Sequence, residues 1–157
     1  MKVVRARSQV IDHLLCHMFD YDMKAFEVEF GNLPFATGIL ALGGYGRAEM
    51  CPYSDVDIMF LYPKKVRAKI LPKFQEVFTE KILYMLWDLG FKVGHSTRTI
   101  KQTMEEAKAD VLSKNAMLES RLVAGSENLF QVFEHAYKNF CNKNPHQYIL
   151  ERLRVQI

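Results

Sequence analysis

The spacing of apolar and polar positions in the first forty residues predicts a helix and then a buried strand. The apolar residues that share one helical face are Ile11, Leu14, Leu15, Met18 and Phe19. Residues 32–34 interrupt this pattern with asparagine and proline. Residues 38–42 form a short apolar run that stops at a double glycine, which is typical of a buried strand.

A loop, a second strand and a long helix are predicted next. Residues 43–54 contain three glycines and a proline and therefore predict a loop, whereas residues 56–62 are apolar and predict a strand that Pro63 closes. The apolar residues of the following amphipathic helix, over about 66–89, are Ile70, Phe74, Val77, Phe78, Ile82, Met85 and Leu89. Pro72 favours a start near Leu71, and Gly90 is placed to end the helix.

The rest of the chain predicts one more strand and then only helices. Residues 91–99 alternate in the manner of a strand, and Thr99 with Gln102 forms a capping-box pattern that opens a helix. Residues 112–122 are predicted to be helical, with a stop at Gly125, and Ser126 is predicted to cap a further helix.

A last helix is predicted to start at Asn144-Pro145, because proline is favoured at the first helical position. The predicted fold class is therefore α+β, with a short mixed sheet flanked by helices and a helical C-terminal extension.

Composition and charge restrict the function more than they reveal it. The chain has 157 residues, of which 49% are hydrophobic and 25% charged, and this composition predicts one globular domain with its own core. The net charge of +3 gives no argument for a nucleic-acid partner, and no apolar run approaches the roughly 20 residues of a membrane span. Cys16, Cys51 and Cys141 show no paired spacing, so we expect neither a disulfide framework nor a zinc site, and a reduced, cytoplasmic protein.

The residues with the clearest chemistry are two aspartates at the start of the second predicted strand. Asp55 and Asp57 are two positions apart, so on a strand their carboxylates point to the same face. Two adjacent carboxylates repel each other unless a cation lies between them. Oxygen ligands of this kind suit Mg²⁺ or Mn²⁺, which assist phosphoryl and nucleotidyl transfer by neutralising and orienting phosphates.

Glycines between the first two strands could supply the complementary phosphate contacts. Gly43 and Gly44 follow the first strand directly, and their lack of side chains lets backbone N–H groups approach a triphosphate. Arg47 could add a positive charge for a phosphate, and Ser54 could hold the loop or touch a phosphate. A lone D-x-D or Gly-Gly is usually structural, but the ordered combination of both between two strands is far more specific.

This combination resembles the DNA polymerase β-like nucleotidyltransferase superfamily, whose paired aspartates bind catalytic metals. Further segments resemble one family within it, the bifunctional uridylyltransferase/uridylyl-removing enzymes of bacterial nitrogen regulation. The segments that carry this resemblance are Leu42-Gly-Gly-Tyr-Gly-Arg47, Pro52-Tyr-Ser-Asp-Val-Asp57, Leu83-Tyr-Met-Leu-Trp-Asp-Leu-Gly90, Val93-Gly-His-Ser-Thr-Arg98 and Leu118-Glu-Ser-Arg-Leu-Val-Ala-Gly125. The resemblance implies transfer of UMP from UTP to a tyrosine hydroxyl of the signalling protein PII, with Mg²⁺ as cofactor.

The resemblance also implies that residues 1–157 are the N-terminal part of a nucleotidyltransferase domain that is incomplete at its C-terminus. The HD hydrolase and ACT domains of that family are absent from this sequence, and whether the isolated chain is active stays open. A third carboxylate, found in many members of the superfamily, would be Asp110, Glu119 or neither. His95 and Arg98 either contact the nucleotide or have structural roles.

Two other functions remain open from the sequence. One keeps the chemistry but changes the nucleotide or the acceptor. The other is a non-catalytic regulatory fragment derived from a transferase, against which the retained Asp55, Asp57 and double glycine argue.

Overall fold

A computed structural model describes residues 2–50, 55–63, 70–143, 149–150 and 153–154. Its helices are α1 Lys2–Phe30, α2 Gly43–Gly46, α3 Ile70–Phe74, α4 Glu80–Asp88, α5 Ile100–Ala109, α6 Val111–Leu118 and α7 Glu127–Asn142, with a π-helical turn, Gln75–Thr79, between α3 and α4. Its strands are β1 Gly38–Ala41, β2 Val56–Tyr62, β3 Val93–Thr99 and β4 Arg121–Gly125.

The four strands form one mixed sheet in the order β3-β2-β1-β4. β1 is antiparallel to both of its neighbours, β2 and β4, while β2 and β3 are parallel. The parallel register sets Asp57 opposite Gly94. The short mixed sheet flanked by helices, which the sequence predicts, is confirmed.

The prediction of a helix over residues 112–122 is wrong at its C-terminal end, where the structure has the strand β4. The helix α6 ends at Leu118, and residues 121–125 pair with β1 instead. All four residues of β1 are buried, so their backbone N–H and C=O groups need partners on both sides. β2 supplies one side and β4 supplies the other, a requirement that local periodicity does not reveal.

Side chains of alternate residues in the central strands enter two separate cores, so both faces of the sheet are covered. One core holds Ile39, Ile58 and Phe60 against α1, α3 and α4, with Phe74 and Phe78 stacked at a centroid distance of 4.7 Å. The other core packs strand residues against α5, α6 and α7, and its buried members are Leu40, Leu42, Met59, Leu61, Ala107, Met117, Phe133 and Tyr137. The molecule therefore has three layers, helices on sheet on helices.

Helix ends follow the sequence signals closely. Thr99 and Gln102 form the predicted capping box, and Ser126 caps α7 by accepting a hydrogen bond from the Leu129 N–H. Gly90 follows α4 with φ +87°, as its predicted stop position requires. Residues 43–46 differ from the predicted loop because they form a single helical turn.

Two predictions fall on residues beyond this description. The stretch before Ile70 of the predicted long helix, from about residue 66, and the Asn144-Pro145 helix start lie outside the described residues. Every helix in the described part of the chain is too short or too polar to cross a membrane.

Candidate active site

The two aspartates lie at the start of β2, which is an inner strand of the sheet. Asp55 is exposed just before β2, and Asp57 is the second residue of the strand and is partly buried. Burial raises the pKa of the Asp57 carboxyl, and the neighbouring Asp55 carboxylate raises it further. The pair is therefore electrostatically unfavourable by itself, and a bound cation would relieve this repulsion.

Room for the Asp57 carboxylate comes from Gly94 on the adjacent strand. A Cβ atom at Gly94 would collide with the Oδ1 atom of Asp57. In the sequence, Gly94 belongs to one of the segments that resemble the family, and no role was predicted for it. The signal that was available is a glycine inside a strand, which often marks a close approach of another group.

The glycine turn α2 lies against the same carboxylate. The Leu42 N–H donates to the Asp57 carbonyl at 2.9 Å, so the turn starts directly beside β2. Gly43 has φ +57°, and a Cβ atom there would lie 3.7 Å from Asp57 Oδ2. The first N–H groups of a helical turn have no partner within it and are available to an anion.

Gly44 differs from Gly43 because nothing in its conformation demands glycine. Its φ is not positive, and an added Cβ would make ordinary contacts of 3.6 Å with Arg47 Nη2 and the Glu49 carbonyl. Among the described residues, neither backbone conformation nor space therefore requires glycine at this position.

Arg47 is held by carboxylates on the protein itself. Its guanidinium forms an ion pair with Glu119 and lies 3.5 Å from Glu49. A phosphate would have to compete with these two carboxylates for the Arg47 guanidinium, as the predicted contact requires. The fourth predicted binding residue, Ser54, lies outside the described residues.

A cavity of about 320 Å³ opens beside Asp57, between β3 and α6. Its polar lining residues are Asp57, His95, Ser96, Arg98, Asp110 and Ser113. His95 packs against the Trp87 ring at a centroid distance of 5.8 Å, and Arg98 Nη2 lies 3.9 Å from Glu106 Oε1. The structure thus brings His95 and Arg98 to the same cavity as Asp57.

Of the two candidates for a third carboxylate, Asp110 lines this cavity, whereas Glu119 is paired with Arg47. Asp110 caps α6, where it accepts hydrogen bonds from the Leu112 and Ser113 N–H groups and the Ser113 hydroxyl. The Ser113 hydroxyl contributes most to a lowered pKa of the Asp110 carboxyl. Within the described ranges, no three His, Cys, Asp or Glu side chains are grouped so as to hold a metal ion.

Comparison with known proteins identifies relatives of the predicted kind. Three of them are called bifunctional uridylyltransferase/uridylyl-removing enzyme. The relative from Novosphingobium aromaticivorans is 43% identical over 147 residues, which are 92% of this chain and 16% of that protein. Those from Erythrobacter litoralis and Burkholderia orbicola (strain AU 1054) are 37% and 40% identical over 92% and 80% of this chain.

The resemblance stated from the motifs is thereby confirmed, although the chain spans only 14–16% of the length of these relatives. The family model described as "Nucleotidyltransferase domain" matches residues 28–122, which include the glycine turn and both aspartates. Since that match extends over more than half of the sequence, the chain belongs to the nucleotidyltransferase domain family.

Proposed function

We propose that this chain carries out metal-dependent transfer of UMP from UTP to a tyrosine hydroxyl of the PII signalling protein. Its membership of the nucleotidyltransferase family supports nucleotidyl transfer in general. The names of its relatives favour a uridylyl group, hence UTP as donor. PII as the acceptor is inferred from the family resemblance of the sequence motifs.

The observation that carries the proposal is the position of the Asp57 carboxylate between two glycines. Gly43 lies beside its Oδ2 atom, and Gly94 leaves space for its Oδ1 atom. The Asp57 carboxyl has a raised pKa and a second acid two residues away, an arrangement that suits an oxygen-liganded cation. The neighbouring helical turn suits a phosphate.

The residues present fit a divalent cation, which Asp55 and Asp57 would hold. Both provide only oxygen ligands, as Mg²⁺ and Mn²⁺ prefer, and their mutual repulsion disappears when a cation binds. When bound, the ion neutralises charge on the phosphates and keeps the reacting oxygens in line.

The chain's own groups then orient the donor. We infer that the backbone N–H groups of Gly43 and Gly44, at the start of α2, would contact the triphosphate and that the cavity beside Asp57 would receive the nucleoside. The tyrosine oxygen of the acceptor attacks the α-phosphorus of UTP, and the bond between that phosphorus and the bridging oxygen breaks. Pyrophosphate leaves with this oxygen, and the phenolic proton passes to solvent.

The first prediction tests the two aspartates with the Asp55→Asn/Asp57→Asn double variant. At a free Mg-UTP concentration of one hundred times the Kd, binding to the native state adds about 2.7 kcal/mol to the free energy of unfolding. This stabilisation raises the melting temperature. We expect this shift, and transfer of UMP to PII measured by intact mass, to disappear in the double variant. Asp88→Asn, which changes an exposed carboxylate at the end of α4, is the control and should behave as the parent.

Three results would separate the alternatives. An equal shift with Mg-ATP would indicate a different nucleotide. Binding of Mg-UTP without a mass change on PII would favour another acceptor or a non-catalytic fragment. A shift that survives in the double variant would contradict the assignment of Asp55 and Asp57.

A further inference from the structure

Arg121, the first residue of β4, joins α1 to the glycine turn. Its Nη1 donates to Asp12 Oδ2 at 2.7 Å, and its Nη2 donates to Asp12 Oδ1 at 3.2 Å. The same guanidinium reaches the turn, where Nη2 donates to the Tyr45 carbonyl at 3.0 Å and Nε donates to the Gly46 carbonyl at 3.3 Å. One side chain therefore connects three elements that are far apart in the sequence.

Tyr45 closes this network from inside the turn. It is 1% exposed, and its hydroxyl donates to Asp12 Oδ1 at 2.6 Å. Its ring lies 5.3 Å from the guanidinium carbon of Arg121. Burial raises the pKa of the Tyr45 hydroxyl, and its hydrogen bond to Asp12 raises it further, so the hydroxyl remains a donor at neutral pH. The Asp12 carboxylate thus accepts hydrogen bonds from both Arg121 and Tyr45.

This network compensates for the freedom of the glycine backbone. Three of the four residues of α2 are glycines, which have the largest backbone entropy to lose when they are ordered. The last carbonyls of a helical turn also lack partners within it. Arg121 donates to the Gly46 carbonyl and to the Tyr45 carbonyl, which accepts a second hydrogen bond from the Ala48 N–H at 3.0 Å. The fork of a guanidinium fixes both groups in a defined geometry, which a lysine ammonium does not.

We propose that Arg121, with Asp12 and Tyr45, is a positioning group for the phosphates of the nucleotide. The three residues hold the backbone of Gly43 and Gly44 in its phosphate-accepting conformation before the nucleotide arrives, which avoids an ordering cost on binding. Arg121, Asp12 and Tyr45 are not among the residues that line the cavity, so they act through the turn. This inference rests on the proposed nucleotide site.

The test compares Arg121→Lys with Arg5→Lys, a matched substitution at an exposed position of α1. Isothermal titration of the whole chain measures the Kd for Mg-UTP and, separately, for Mn²⁺ alone. In Arg121→Lys we expect the Kd for Mg-UTP to rise about tenfold, which equals about 1.4 kcal/mol. The Kd for Mn²⁺ should stay at the parent value, because the aspartates keep their positions, and Arg5→Lys should change neither constant.

Tyr45→Phe is the second variant, because it removes one hydroxyl and keeps the buried ring. It should also weaken Mg-UTP binding at unchanged Mn²⁺ affinity, and it decides the question if Arg121→Lys does not fold. Lower melting temperatures with unchanged Kd for Mg-UTP would overturn the inference, since the network would then be structural only. Equal losses for Mn²⁺ and Mg-UTP would overturn it too.

The failure of the underlying function has a different signature. If the parent binds no Mg-UTP, or binds it equally well after Asp55→Asn/Asp57→Asn, the nucleotide site itself is wrong and the inference falls with it. If the parent binds and the double variant does not, the Arg121 and Tyr45 variants test the positioning role alone.

Discussion

Individual glycines in the site meet different physical requirements. Gly43 has φ +57°, a conformation that side chains disfavour, whereas Gly94 has an ordinary φ and is needed for space beside Asp57. The sequence predicted Gly43 from its place after a strand. It could not predict the role of Gly94, because that role depends on which residue of β2 the parallel register brings opposite.

Gly94→Ala should therefore damage the carboxylate site more than the fold. The new Cβ forces the Asp57 carboxylate to turn away, so we expect the Kd for Mg-UTP to increase at least tenfold, or about 1.4 kcal/mol, by isothermal titration.

Gly90→Ala is the control for this variant. It has φ +87° with nothing within 4 Å of the added Cβ, so it should cost about 1 kcal/mol of stability through strain and leave the Kd unchanged. Parent-like binding by Gly94→Ala would show that Asp57 does not need its observed position.

At the scale of elements, local signals predicted helix ends and central strands but missed β4. The caps at Thr99 and Ser126 and the strands β1 and β2 follow from residues close in sequence. β4 forms because a buried strand about eighty positions earlier needs a second partner, and short-range periodicity carries no information on such pairing. The position of Asp110 beside the cavity depends on the same long-range packing.

The stability of α6 should depend on Asp110, because its carboxylate caps this helix. Asp110→Ala should cost about 1 kcal/mol of unfolding free energy, while Asp110→Asn should cost much less because asparagine caps helices nearly as well. Urea denaturation of both variants measures the difference. If the two variants lose equal stability, then the negative charge, rather than the capping hydrogen bonds, stabilises α6.

The whole molecule buries a sheet between two helical layers, and one acid lies inside this packing. Asp22 of α1 is 7% exposed, and burial raises the pKa of its carboxyl against a smaller opposing effect of Lys81. The folded state therefore holds the proton more tightly than the unfolded state. Stability falls as pH rises from the unfolded pKa through the folded one, and the penalty is fully present above both.

Asp22→Asn should remove that penalty. We expect its melting temperature to exceed that of the parent at pH 7. The difference should shrink as the pH falls through the raised pKa of the folded state, and it should vanish only well below the unfolded value of about 3.9, where the parent carboxyl is protonated in both states. Asp20→Asn, on an exposed position of the same helix, is the control and should show a smaller difference at pH 7. A parent that is more stable than Asp22→Asn at pH 7 would mean that the Lys81 attraction exceeds the cost of burial.

The pairing of β1 with β4 has a consequence for biosynthesis. Ribosomes add roughly 5–20 residues per second, so β1 emerges about 4–16 s before β4 can join it. During that interval the apolar strand Gly38–Ala41 has one open edge, which is a template for pairing with other chains. A nascent chain of this protein should therefore depend on chaperones most strongly just before residues 121–125 leave the exit tunnel.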